Sequence, residues 1–277
     1  MAYDYQIGII RAKESYLLSK TDWDRFLSTP SLRDVWAELV RLDLGYEEVG
    51  ELELTKSIAK VYSKNISNLY AEICTYFLDE NLKKAFLYEI DIYNLKLLYK
   101  QKKFDKNFSE YFIDGGYGDL KDLGVLEEFE KQAMTPYDFD VFLDSKLFAF
   151  RLFTTKNEFL TNIWKLKIDF YNLKLYVNKS ENFIDGGNIE NWKISPEELV
   201  GKFEIAKFAL ADNSLAWEKE EEKAILKYCE DAVMFFETVE PIIAYFFKRY
   251  IEIKNVNRLL YGRAFKLPNS KIEEQIS

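Results

Sequence analysis

Residues 89–100 read EIDIYNLKLLYK, and residues 167–178 read KIDFYNLKLYVN. With Asp91 set on Asp169, consecutive columns read D-[IF]-Y-N-L-K-L. A weaker third copy, YIEIKNVNRLLY at 250–261, puts Glu252 in the acid column and Asn255 in the Asn column. The three acids recur at a spacing of about 80 residues, the mark of a repeated supersecondary unit. A second element travels with the first. FIDGG stands at 112–116 and again at 183–187, each time after a D-x-Y-N-L-K stretch. After the third copy only Phe265-Lys266-Leu267-Pro268-Asn269 stands in its place.

Asp91, Asn94, Leu95 and Leu98 share one face of a helix, because positions i, i+3, i+4 and i+7 stack on the same side. Asp and Asn are poor residues for a helix interior, since their side chains compete for nearby backbone groups. Their return on one stripe, as Asp91/Asn94, Asp169/Asn172 and Glu252/Asn255, implies hydrogen bonds to a neighbouring helix or loop end. The pairs Gly115-Gly116 and Gly186-Gly187 suit a backbone that must take positive φ to leave a helix and reverse. These ten residues form the candidate site, and packing and turn formation explain them better than a ligand does.

The rest of the chain follows from this unit. Residues 3–19 read as an amphipathic helix, with Thr21 or Asp22 placed to cap a short helix that follows. Leu32–Leu42 is another short helix, ended by Gly45. Apolar residues at helical spacing mark long helices over 53–78 and 82–101, which a short turn would fold into a hairpin. Short helices broken at Gly124 are expected over 120–133. Helices over 137–153 and 156–177 follow. Ser195-Pro196-Glu197-Glu198 is a strong helix start. A last hairpin is expected over 217–237 and 241–261, with 268–277 frayed. Period-2 alternation is missing. The expectation is an all-α chain of three pseudo-symmetric helical repeats, 1–111, 112–182 and 183–277, packed as one domain.

Composition narrows the function. The chain has 277 residues and a formal charge of −9, which disfavours nucleic acid as a partner and favours a basic protein surface. It contains no histidine, so Ser-His-Asp and Cys-His systems and histidine metal ligands are excluded. Cys74 and Cys229 sit in apolar helical patterns and read as buried thiols. The Gly-Gly pairs do not form a phosphate loop, since neither nucleotide fingerprint is present. The run WEKEEEK at 217–223 is a solvated helix face. The most apolar stretch, 233–247, carries Glu237, Glu240 and Pro241 and does not read as a membrane span. The N-terminus lacks the basic-then-apolar order of a signal peptide. No catalytic set, cofactor, metal or small-molecule substrate is expected.

The D-x-Y-N-L-K helix, the F-I-D-G-G turn and the closing YIEIKNVNRL helix together resemble the C-type subunits of the A/V-type ATPases, the family that includes the d-type subunits of the eukaryotic V-ATPases. The opening YxxxxxRAKESYLLSKTDWDRFLS is similar as well. The resemblance runs over essentially the whole chain. It implies a funnel of three pseudo-symmetric repeats that binds no nucleotide. It also implies a rotor adaptor on the cytoplasmic face, between the central stalk and the membrane proteolipid ring, serving ATP-driven or ATP-making proton or sodium transport. The paired acid and Asn columns and the glycine turns match that family. The third unit departs from it, with Glu252 for Asp, Lys254 for Tyr and no Gly-Gly. The rival reading is a cytosolic helical-repeat scaffold that binds protein partners.

Overall fold

The computed structural model describes residues 3–50, 53–118, 125, 134–180, 182–204, 206–210, 214–230 and 238–277. The short helices expected over 120–133, except Val125, and the last turns of the helix expected over 217–237 lie outside them. Among the described residues every regular element is helical. In chain order these are α1 (Asp4–Glu14), α2 (Lys20–Ser28), α3 (Leu32–Arg41), α4 (Leu54–Tyr76) and α5 (Glu80–Phe104). A 3-10 turn (Ser109–Tyr111) follows, then α6 (Pro136–Thr154) and α7 (Glu158–Val177). The C-terminal part holds α8 (Pro196–Lys202), α9 (Ala206–Leu210), α10 (Ser214–Glu230), α11 (Glu240–Ala264) and α12 (Asn269–Glu273).

Local chemistry sets the helix starts. Thr135, Asn157 and Ser195 each accept a backbone N–H from the first turn of the following helix, and Pro136 and Pro196 fix φ there. Such a cap contributes about 1 kcal/mol. At α2 the cap is Ser19 rather than Thr21 or Asp22. Ser19 and Asp22 close a reciprocal box, each accepting the other's backbone N–H, so Asp22 acts from inside the first turn.

The chain forms two compact units, Met1–Ile73 with Cys229–Ser277, and Cys74–Tyr228. Most of α4 thus belongs to the first unit and α5 to the second, so the pair expected as a hairpin is divided between units. In the first, Phe26, Val35, Trp36, Leu39 and Ile58 close on Val256, Leu259 and Leu260 of α11. The buried guanidinium of Arg263 donates to the carbonyls of Phe26 and Leu27, satisfying the end of α2. The tail expected to fray is held: α12 buries Ile272 fully in that core.

In the second unit α5 packs on α6. Tyr99 stacks on Phe139 with ring centroids 3.9 Å apart. Lys96 pairs with Asp144 at 2.5 Å and Lys100 with Asp140 at 2.6 Å. Partners rise along one helix as they fall along the other, so the two run antiparallel. Arg151 of α6 is buried, with its guanidinium 4.0 Å from the Trp164 ring of α7. It donates to the Ala85 carbonyl and to Glu89 of α5, so this one cation ties three helices. Phe148, Ile168 and Ile184 pack α6 and α7 against the second FIDGG segment.

Candidate functional site

Within this second unit the repeated columns and the repeated turn meet. In the first copy, Asn94 on α5 grips Ile113 by both backbone groups: its amide N donates to the carbonyl at 2.7 Å and its Oδ1 accepts the N–H at 3.0 Å. In the second copy, Asn172 on α7 grips Ile184 in the same way, at 2.7 and 2.8 Å. Each is the isoleucine of an F-I-D-G-G segment. A primary amide is the side chain that can satisfy an N–H and a C=O of one residue together.

The acid column holds the other end of the turn. Asp91 Oδ2 accepts the N–H groups of Tyr117 and Gly118 at 2.7 and 3.1 Å. Asp169 Oδ2 accepts the Asn188 N–H and side-chain amide at 3.1 and 2.7 Å, and its Oδ1 accepts the Ile189 N–H at 3.1 Å. In both copies the acceptor reads the two residues after Gly-Gly. The glycines have separate tasks. Gly115 and Gly186 take φ of 93° and 97°, which only glycine adopts without strain. Gly116 and Gly187 lie against the carboxylate itself. A Cβ there would stand 2.0 Å from Asp91 Oδ1 and 2.3 Å from Asp169 Oδ1.

The third copy keeps the residues and changes the partners. Glu252 on α11 accepts the Leu18 N–H and pairs with Arg249. Asn255 donates its amide to the Ser277 carbonyl at 3.1 Å and accepts the Ser277 N–H at 3.3 Å. With no Gly-Gly turn after α11, segments from the two ends of the sequence occupy those positions. The structure therefore brings each acid and Asn together on one helix face, and joins the first two pairs to Gly115-Gly116 and Gly186-Gly187.

One further clasp escaped the sequence reading. Asn65 on α4 donates to the Leu44 carbonyl at 3.4 Å, and Gly45, at φ 81°, lies against its Oδ1. The signal was partial: NISNLY at 65–70 matches DIYNLK at its Ile, Asn and Leu columns, but the clasping Asn65 stands in the acid column and the matched Asn68 is exposed. Here the turn precedes the helix, so a search downstream of the motif misses it.

The electrostatics are those of a structural clasp. Burial pushes the Asp169 carboxyl above its ordinary range, and the donors from Ile189 and Asn188 offset this only in part. Burial also raises Asp91 against the N–H groups of Gly118 and Tyr117, and Glu252 against the charge of Arg249. A carboxyl raised in the folded state adds stability that is complete below the unfolded value, about 3.9 for Asp, and is lost as pH rises through the folded value. Wild type should therefore lose stability relative to Asp169→Asn as pH rises from about 4 to 7, whatever constant offset the lost acceptor causes. Denaturant titrations of both proteins across that range test this. A difference that is flat, or that grows in favour of wild type with pH, would refute it.

These features define a helical repeat protein whose recurring polar columns fasten its own turns. Residues 7–135 match the family model of the ATP synthase (C/AC39) subunit. The matched span contains the whole first clasp, from Asp91 to Gly118, and stops before the second. No curated protein matches the chain. Among the described residues, no helix is long and apolar enough to cross a membrane.

Proposed function

We propose that this protein is a non-catalytic rotor adaptor of an A/V-type ATPase. It couples the central stalk to the membrane proteolipid ring and rests against that ring on the cytoplasmic face. The observation that carries the reading is the family match over residues 7–135. The repeated clasps support it. A part that passes torque between two partners needs turns that do not yield, and Asn and Asp side chains locked on backbone groups stiffen those turns. The three units read from the sequence, at 1–111, 112–182 and 183–277, would then form the funnel that receives the stalk. The acidic balance of the chain suits a basic foot on the stalk, where complementary charge fixes orientation and speeds assembly.

The test pairs two assays on membranes with and without this chain. ATP hydrolysis by the catalytic head is expected to persist without it, while proton or sodium transport is lost. Transport that stays coupled in its absence would refute the adaptor role. Retention of the purified protein by neither the ring nor the stalk would favour a cytosolic scaffold instead.

A further inference from the structure

Beside the second clasp three aromatic rings close on one another. Phe183, the first residue of the second FIDGG segment, stacks on Trp192 with ring centroids 5.9 Å apart. Tyr176 of α7 stands 6.5 Å from the same indole, and its hydroxyl donates to the Ile194 carbonyl at 2.8 Å. These rings wall a cavity of about 340 Å³, which Lys179 and Lys193 also line. Both lysines are exposed, and neither ammonium pairs with a carboxylate among the described residues. No Asp or Glu is among the described residues of the wall, although acids outnumber bases in the chain.

The internal repeat shows that the clasp does not require this set. Column by column, the first copy keeps Phe112 at Phe183 but holds Leu98 at Tyr176, Gln101 at Lys179, Lys121 at Trp192 and Asp122 at Lys193. Two of the rings and both lysines therefore belong to the second copy alone. Trp192 is 4% exposed, and its indole N–H has no acceptor among the described residues. A buried donor without a partner calls for an explanation, and an acceptor carried by a ligand supplies one. Trp192 and Lys193 also line a second cavity of about 220 Å³, but Asp185 and Glu190 line that one too. An anion belongs in the first.

We propose that the cavity between Tyr176, Phe183 and Trp192 binds a small aromatic carboxylate. Its volume lies at the lower end of ligand pockets, enough for one or two fused rings and an acid group. The ligand ring packs on the aromatic wall, as offset or edge-on aromatic pairs do. Its carboxylate meets the ammonium groups of Lys179 and Lys193 in charge-assisted hydrogen bonds. The Trp192 indole, held by packing with no acceptor of its own, turns its N–H toward a ligand oxygen. The site lies outside residues 7–135, and the inference does not depend on the rotor reading.

The test titrates the full chain with naphthylacetate and follows the indole N–H resonances of its five tryptophans by NMR. Trp192→Phe keeps a ring, removes one resonance and so identifies it. That resonance should shift on saturation while the other four stay. Naphthylethanol, the same ring without the charge, should bind about ten-fold more weakly, and acetate alone should not compete. Lys179→Gln and Lys193→Gln should each weaken binding about three-fold and together about ten-fold, as exposed ion pairs allow. Both positions are exposed, so these variants keep the fold, and circular dichroism confirms it. Lys207→Gln, away from the cavity, is the control and should leave affinity unchanged. Absence of saturation up to about 10 mM ligand overturns the inference. So does equal binding of the acid and the alcohol, or a double lysine variant with wild-type affinity, since either makes the cavity a purely apolar cleft. A shift confined to another tryptophan would place the ligand elsewhere and also overturn it. Tighter binding of an Asp-Phe-Asp peptide than of naphthylacetate would assign the cavity to a partner protein, and that too overturns it.

Discussion

Gly187→Ala should destabilise the folded chain by about 3 kcal/mol, at the upper end of single-substitution effects. The added methyl would stand 2.3 Å from Asp169 Oδ1 and 3.2 Å from both its Cγ and the Ile168 Cγ2. The carboxylate has to swing away, and in doing so it leaves the N–H groups of Asn188 and Ile189. Hydrogen bonds to a charged group contribute about 1.5–3 kcal/mol each, and some of this returns as the half-exposed turn takes up water. Gly186→Ala works by another route. Its φ of 97° is one that a side chain strains, and its new methyl meets Leu152 Cδ1, the movable tip of a side chain. Removing the carboxylate separates the two mechanisms. In an Asp169→Ala background Gly187→Ala should cost at least about 1 kcal/mol less than in wild type, because its clash partner is gone. Gly186→Ala should cost the same in both backgrounds. Urea titrations of the single and double variants beside wild type measure this. Additive behaviour of Gly187→Ala with Asp169→Ala would show that the carboxylate is not what the glycine accommodates.

Why the sequence revealed the helices but not their partners can be seen at these residues. Periodicity alone placed α3, α4, α6 and α7 within a few residues, because each buries a stripe that repeats with the helical turn. The polar columns were equally visible, since Asp and Asn are costly where they stand. Their partners depend on distances that no period encodes. Asn94 reaches Ile113 across 19 residues and Asn172 reaches Ile184 across 12, so the intervening lengths differ while the geometry is the same. Arg151 drew no notice, although a single cation in the run LFAFRLF marks a charge that burial must pair. Ser19 lost to Thr21 and Asp22 because all three are good capping residues, and only the backbone path chooses among them. The tail looked frayed from its polar composition, but one residue, Ile272, seats it in the core.

Asn172→Leu should lower stability by about 3 kcal/mol, and Asn94→Leu by less. Leucine nearly matches asparagine in shape, so the substitution leaves no large cavity. What it removes is both hydrogen bonds to Ile184, at 2.7 and 2.8 Å, in a site with no exposure to water. A buried N–H and a buried C=O left without partners cost about 1–3 kcal/mol each. Added burial of apolar surface offsets only part of that, because the asparagine was already buried with its leucine neighbours. Asn94 makes the matching pair of bonds to Ile113, but at a half-buried position where water can replace them. Its loss should cost about 1 kcal/mol, the net value of hydrogen bonds near solvent. Asn172→Asp adds a chemical control. It keeps the acceptor for the Ile184 N–H and sets a carboxylate oxygen against the Ile184 carbonyl, so it should be at least as damaging as leucine at pH 7. Lowering the pH protonates that oxygen into a donor for the carbonyl and should recover part of the loss. Amide hydrogen exchange at Ile184 and Ile113 gives an independent reading: the Ile184 N–H should lose protection in Asn172→Leu while Ile113 keeps its own. Wild-type stability in Asn172→Leu, or a larger loss at Asn94 than at Asn172, would mean that the clasp is not what holds these turns.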